Sequence, residues 1–363
     1  MGLNKRRGVT LIETVVTLTV VVLLGLVLIP MLASARSQMR GQSSAANLMM
    51  IGQGGGMYAQ DNQGRLFSYS WRAGESYVLP DGRVKNPFND QDAADFQCGE
   101  ILQRLTGRIS GSTKINTVSN RLPHRRLSHL VLIDYLNGSP GDDTYIDPAD
   151  KNQLMWAANP LEYGSGSGVP YAEGDPEIGY DNDPNWSHIT VRQRWAFASS
   201  YQPVPSAWQY EAGQVRYVPV PETPHLFRVR GGDEEDLDLH TGRNFVEVRF
   251  PGRKVWFFEE FDREASNTPY FAYNHARPEK LMFDGSVDRR MTGDAYPSIV
   301  PEYSSSFWTQ RYVPLDTFPV PIGGLGSEFE MNQRYRWSTL GLFGVDYGPL
   351  DAPRGPSVKR VGP

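Results

Sequence analysis

Between Val9 and Ala35 the chain carries a single charged side chain, Glu13, in an otherwise apolar run, and Lys5, Arg6 and Arg7 stand just ahead of it. About 20 apolar residues suffice for a helix to cross a bilayer, so this run is long enough to span one. The basic side chains predict that the short leader stays cytoplasmic and that everything after the run is exported. The pattern predicts that the helix continues beyond the apolar run through Arg36, Gln38, Arg40 and Gln42. Leu48, Met49, Ile51 and Met57 then form a core-facing stripe. Gly52 and Gly54-Gly55-Gly56 predict fraying or a break, because glycine costs roughly 1 kcal/mol at an interior helical position. Gly64 is the expected stop signal.

Further along, Phe245-Val246-Glu247-Val248-Arg249-Phe250 alternates and predicts a strand. Lys254-Val255-Trp256-Phe257-Phe258 predicts a second, more buried strand, with Pro251-Gly252 as the turn between them. Lys280-Leu281-Met282-Phe283 leads into Asp284-Gly285, a strong hairpin signal, and Ser286-Val287 follows. Helical spacing marks Glu100–Leu105 and Leu127–Leu136. The basic run Arg121–Arg126 is expected to be a solvated face, and Gly164–Gly168 a flexible stretch. The expected fold class is α+β: a long N-terminal transmembrane helix packed on an antiparallel β-sheet head of three or four strands, with a large loop-rich insert. The expected divisions are 1–8 leader, 9–35 membrane helix, 36–64 helix continuation, 65–243 insert, 244–347 sheet head and 348–363 proline-rich tail.

Composition narrows the picture. The 363 residues are ample for a core, and 39 % hydrophobic with 21 % charged residues are globular values. Plentiful Gly (36) and Pro (27) with many aromatics favour strands and turns over a helical bundle. A net charge of -5 does not imply nucleic acid as a partner. The lone cysteine, Cys98, excludes an internal disulfide and any multi-cysteine metal site; a buried or inert thiol is expected. A nucleophile elbow, P-loop, dinucleotide fingerprint and HExxH are all absent, so the reading is not of an enzyme.

Three readings of the N-terminus compete. A secretory signal would explain Ala33-Ser34-Ala35 as a cleavage site, yet such signals have apolar regions of about 7–15 residues. A plain anchor explains the length but neither Gly8 nor Glu13. The third rests on Gly8-Val9-Thr10-Leu11-Ile12-Glu13, which resembles the GFTLIE cleavage motif of type IV pilins and type II secretion pseudopilins. Val9 stands where those families most often carry Phe. The resemblance implies that a prepilin peptidase cuts after Gly8 and that Val9 becomes the N-methylated terminus. It further implies other pilin or pseudopilin subunits as partners and the inner membrane as location, with the head periplasmic or in an extracytoplasmic filament. Loss of Lys5, Arg6 and Arg7 would take the formal charge from -5 to -8. Glu13 sits at i+4 from Val9, on the same helix face. In those families the glutamate is thought to pair with the terminal amine of a neighbouring subunit, where a buried pair costs less than either unpaired charge. The bland alternative is a Glu13 that snorkels to the headgroups. Pro30 is either a kink of the kind many pilins carry or an ordinary membrane-helix proline.

A second resemblance covers Asn47-Leu48 and Tyr58-Ala59-Gln60-Asp61-Asn62-Gln63-Gly64-Arg65, similar to a passage in prepilin-type proteins of planctomycete-like bacteria. Many of those end in a histidine about nine residues before Asp-Gly. Here His275 precedes Asp284-Gly285 by eight intervening residues, one fewer. His275 and Asp284 are read either as a ligand pair or, preferably, as a structural turn. Asp142, Asp143, Asp147 and Asp150 form a carboxylate cluster on a Gly/Pro-rich loop, and Asp175, Asp181 and Asp183 another. Such oxygen ligands suit calcium, although neither follows the EF-hand spacing and solvated loops are preferred. No other cofactor is implied. Asp233-Glu234-Glu235-Asp236 reads as a solvated acidic face. The expected function is a structural subunit, minor or specialised, of a type IV pilus or type II secretion pseudopilus. The alternative is a membrane-anchored exported binding protein or hydrolase using a pilin-like signal.

Overall fold

The computed structural model describes residues 10–110, 114–115, 123–136, 138–139, 141–158, 197–208, 216–220, 223–230, 242–265, 269–296, 334–338 and 341–348. Gly8, Val9, the Gly164–Gly168 stretch, Asp175, Asp181, Asp183, the 233–236 acidic run and the tail after Gly348 lie outside them.

Helix α1 runs unbroken from Leu11 to Asp61, 51 residues. It starts with a reciprocal cap: Thr10 Oγ1 accepts from the Glu13 N–H (3.3 Å), and Glu13 Oε2 accepts from the Thr10 N–H (2.8 Å). It ends where Gly64 takes a left-handed φ of +80° and donates its N–H back to the Ala59 carbonyl (2.7 Å). The expected break at the glycines does not occur. Tertiary packing overrides their weak propensity, because they are where the head approaches the helix axis. A Cβ on Gly55 would lie 2.9 Å from Trp256 Cζ2 and 3.0 Å from Phe67 Cε1. One on Gly54 would lie 2.9 Å from Leu136, and one on Gly52 3.1 Å from Leu281. The buried stripe is Gly41, Ser44, Leu48, Ile51, Gly54, Gly55 and Ala59. Met49 and Met57, expected in it, are exposed, because they lie on the side of the helix turned away from that row.

The sheet that receives this stripe has four antiparallel strands in the order β3-β6-β7-β8 (Tyr201–Pro203, Val255–Glu259, Lys280–Met282, Val287–Asp288). Register places Tyr201 opposite Glu259, Phe257 opposite Leu281 and Leu281 opposite Val287, with an irregularity at Trp256. Two short hairpins stand apart: β1-β2 (Tyr77–Val78, Val84–Lys85) and β4-β5 (Arg216–Val220, Thr223–Arg230). The Asp284-Gly285 hairpin forms as expected. Gly285 has φ +86°, and Asp284 Oδ1 accepts from the Ser286 N–H (2.9 Å).

Phe245–Phe250 is not a strand. Asn244 and Glu247 cap a single 3-10 turn over Phe245–Glu247, and another turn covers Pro251–Arg253. This local capping wins over an alternating pattern, and the neighbour of β6 is instead β3, drawn from the insert. The core is aromatic: Trp256 stacks on Phe283 (5.1 Å) and Phe67 on Phe257 (5.6 Å).

A second cluster gathers Tyr69, Ala94, Cys98, Leu102, Leu127, Leu130 and Ile133. It is built by α2 (Asp90–Thr106), longer than the expected Glu100–Leu105. The short α3 (His124–Leu127) adds to it, followed by a 3-10 stretch over Ser128–Tyr135. The basic run before it is not a solvated face where it is described. His124 is buried, stacked on Trp208 (4.7 Å), and Arg126 pairs with Glu260 (2.8 Å). Inside, His124 Nε2 meets Ser68 Oγ at 3.1 Å, and Arg126 Nη2 donates to Glu260.

Candidate functional site

The most unusual surface is the first half of α1. From Leu11 to Leu32 its large side chains are exposed, from Val20 at 49 % to Leu11 at 82 %. An 18-residue window reaches a mean hydropathy of 2.8, and none of it packs against the head. By length and composition this helix is able to cross a membrane. Its hydroxyls are satisfied from within: Thr14 Oγ1 donates to the Thr10 carbonyl (3.2 Å), Thr17 to Glu13 (2.7 Å) and Thr19 to Val15 (2.8 Å). Internal bonding of this kind removes the cost of placing a hydroxyl in hydrocarbon. Pro30 sits inside the helix without ending it.

Glu13 lies one turn into this apolar surface. Its carboxylate also accepts from Thr10 Oγ1 (3.0 Å), so among the described residues its partners belong to its own cap. These are exposed contacts that a stronger cationic partner could replace.

The other candidate residues are dispersed. His275 and Asp284 are both exposed, and among the described residues no hydrogen bond joins them. His275 lies 5.7 Å from the ring of Tyr273, while Asp284 caps its own turn. Asp142 accepts from the Thr144 N–H (2.8 Å) as the cap of a 3-10 turn that begins with Asp143. Asp150 is buried, pairs with Arg263 (3.2 Å) and accepts from Ser200 Oγ (2.6 Å). Among the described residues no group of three or more His, Cys, Asp or Glu side chains is arranged to hold a metal ion. Cys98 is buried beside Tyr69, and burial pushes its thiol up to about 12, away from reactivity.

Sequence reasoning missed a row of carboxyls under α1 just past its apolar half. Ser37 Oγ donates to Glu264 Oε2 (2.9 Å). Glu279 Oε1 and Arg289 Nη1 both lie 3.5 Å from where a Gly41 Cβ would be. Ser44 Oγ donates to Glu259 Oε1 and lies 3.1 Å from the Tyr201 hydroxyl. Asn47 Nδ2 donates to the carbonyls of Asp143 and Ile146, each at 3.0 Å. Burial raises the Glu264 carboxyl, raises Glu279 to about 7 despite nearby Arg289, and, together with the neighbouring Asp147 charge, holds Glu259 well above the usual carboxylate range. The available signal was Glu259-Glu260 directly after the buried strand Val255-Trp256-Phe257-Phe258.

Comparison with protein families, with curated proteins and with solved structures finds no match in any of the three. The class that the fold itself defines is an α+β head carried on one long helix whose N-terminal half is apolar and unpacked.

Proposed function

We propose that this protein is a pilin-like (pseudopilin) subunit, processed by a prepilin peptidase and held in the inner membrane by the apolar half of α1. It then joins a type IV pilus or type II secretion pseudopilus as a minor or specialised component, with its head on the extracytoplasmic side. One observation carries the reading. The exposed apolar half of α1, with Glu13 as its only charge, is continuous with the half docked on the head, so a single rigid rod links anchor to head. A simple cleavable signal has no need of such continuity, whereas a subunit packing side by side through its helices does. The chemistry around Gly8 and Val9 supports the same reading: cleavage there leaves an ammonium one turn from Glu13. In an apolar assembly that carboxylate gains a cation from the next subunit in exchange for its cap. His275, Asp284 and Gly285 take part as a structural hairpin and its neighbour.

The decisive experiment is the intact mass and N-terminal residue of the protein from its native host, with and without an active prepilin peptidase. A mature chain starting at N-methylated Val9 only when the peptidase is active is the expected result. A chain starting at Arg36, or an uncleaved Met1 in both strains, overturns the proposal and leaves an exported or anchored head of another function.

A further inference from the structure

Where the apolar half of α1 ends, arginines from two distant parts of the chain come together. Arg36 is the first residue after the apolar run, and Arg40 follows one turn later on the same helix face. Both are exposed. The head meets the helix at the neighbouring positions. Ser37 Oγ donates to Glu264 Oε2 (2.9 Å), and Arg289 Nη1 comes within 3.5 Å of where a Gly41 Cβ would be. Arg289 Nε donates to the Arg277 carbonyl (3.1 Å), which brings the exposed Arg277 to the same level.

The exposed side of this junction is basic. Among the described residues the side chains of Arg36, Arg40 and Arg277 form no ion pair or hydrogen bond, although Arg40 is near enough for Glu264 to feel its charge. Arg289 does answer two carboxylates, Asp262 (3.4 Å) and Glu279 (3.5 Å). Their side chains are only 5 % and 7 % exposed, however, against 39 % for Arg289, so the carboxylates lie beneath the guanidinium. Glu264 is half-buried and tied to Ser37.

The depth of this junction follows from helix length. From Leu11 to Ala35 the helix rises about 37 Å at 1.5 Å per residue. A bilayer has a hydrocarbon core of about 30 Å and measures about 40–45 Å with its headgroups. An apolar length of that size, centred in the bilayer, puts Arg36 among the phosphates and Arg40 about 6 Å further out. Long arginine side chains reach back to that layer, and the guanidinium fork matches phosphate oxygens.

We propose that Arg36, Arg40, Arg277 and Arg289 form a basic collar that seats the head on anionic phospholipid headgroups of the extracytoplasmic leaflet. The proposal rests on the membrane anchoring put forward above but not on cleavage after Gly8 or on pilus assembly. Seating at this level also fixes how far α1 sinks into the bilayer.

The test uses the full chain reconstituted in phosphatidylcholine vesicles with either spin-labelled phosphatidylglycerol or spin-labelled phosphatidylcholine as probe. The fraction of each label immobilised beside the protein gives the relative affinity. Phosphatidylglycerol is expected to be preferred, and molar salt to weaken the preference. One arginine near an anionic surface contributes about fivefold in affinity, so Arg36→Gln/Arg40→Gln/Arg277→Gln is expected to lower the preference about fivefold or more. The matching triple lysine variant keeps the charge and is expected to retain the preference. Lys5, Arg6 and Arg7, at the other end of the apolar run, contribute a share that neither variant alters. Arg289 is left in place because it pairs with buried carboxylates. An undiminished preference in the glutamine variant overturns the collar and leaves the anchor standing. Absence of immobilised lipid of either kind overturns the anchor and the collar together. Loss of the folded head in the glutamine variant makes these side chains structural and overturns the collar. Suppression by inorganic phosphate, but not by chloride at equal ionic strength, assigns the arginines to free phosphate and overturns the seating on lipid.

Discussion

Glu13 shows how one side chain takes its meaning from what surrounds it. In the single chain it caps its own helix, which stabilises the first turn but gives no reason for a carboxylate inside a membrane-length run. On the proposed reading, Glu13→Gln retains membrane insertion, because the helix stays apolar, but abolishes assembly. Membrane fractionation together with crosslinking between subunits separates the two effects, and normal assembly of the variant would rule out the pairing role. Lys254 presents the opposite situation. It is fully buried, pairs with Asp346 at 3.3 Å and donates to Ser338, while the Val255 N–H donates to Asp346 Oδ2 (2.9 Å). Asp346→Ala leaves that ammonium buried without its counter-charge and is expected to cost about 3–5 kcal/mol in chemical denaturation.

At the scale of elements, α1 shows three characters in turn along one axis. It is apolar and unpacked over its first half, meets carboxyls through small polar residues from Ser37 to Asn47, and meets Leu281, Leu136 and the rings of Trp256 and Phe67 through Gly52, Gly54 and Gly55. Its glycines therefore have opposite expected responses to a methyl group. Gly55→Ala forces Cβ into Trp256 and is expected to destabilise the head by about 1–3 kcal/mol. Gly56→Ala meets nothing within 4 Å and is expected to stabilise it by up to about 1 kcal/mol. Thermal unfolding of the two variants in one detergent gives the comparison, and equal effects would contradict the packing described. The polar stretch carries a pH dependence with a definite sign. The Glu279 carboxyl, raised by burial to about 7, binds its proton more tightly in the folded chain than in the unfolded one. Its contribution is complete at about pH 4 and is lost as pH rises through 7. Urea midpoints between pH 4 and pH 8 are expected to fall more for the unaltered chain than for Glu279→Gln.

For the whole molecule, the insert is part of the architecture. Strand β3 pairs with β6 across Tyr201, Gln202 and Pro203, and Gln202 donates to Glu260 (2.7 Å) while accepting from Arg336 (3.3 Å). A chain lacking residues 65–243 therefore leaves β6 unpaired on one side and uncovers the aromatic core. It is expected to lose cooperative unfolding rather than yield a smaller head. Near-ultraviolet circular dichroism would detect this, and a retained sharp transition would mean the sheet stands without the insert.

The sequence by itself determined the long N-terminal helix, its membrane-length apolar half, the end of that helix at Gly64, the buried strand through Trp256 and the Asp284-Gly285 hairpin. Each of these is local: a run length, a period or a two-residue turn states it without reference to distant residues. The proposed site at Gly8, Val9 and Glu13 is read from the same kind of signal, a contiguous motif beside an apolar run, and of the three only Glu13 lies among the described residues. Phe245–Phe250 coils into a turn that Asn244 and Glu247 cap locally, a signal its alternating pattern masked, whereas tertiary structure alone decided that the glycines hold a continuous helix against Trp256. It alone placed a strand from the insert beside β6 and gathered Glu264, Glu279, Glu259 and Asp147 under α1. Those outcomes depend on contacts between residues far apart in sequence, from Tyr201 with Glu259 across β3 and β6 to Ser44 with Glu259 and Ser37 with Glu264. Close approach and the low dielectric of a packed interior set their energies, and neither exists until the chain has folded.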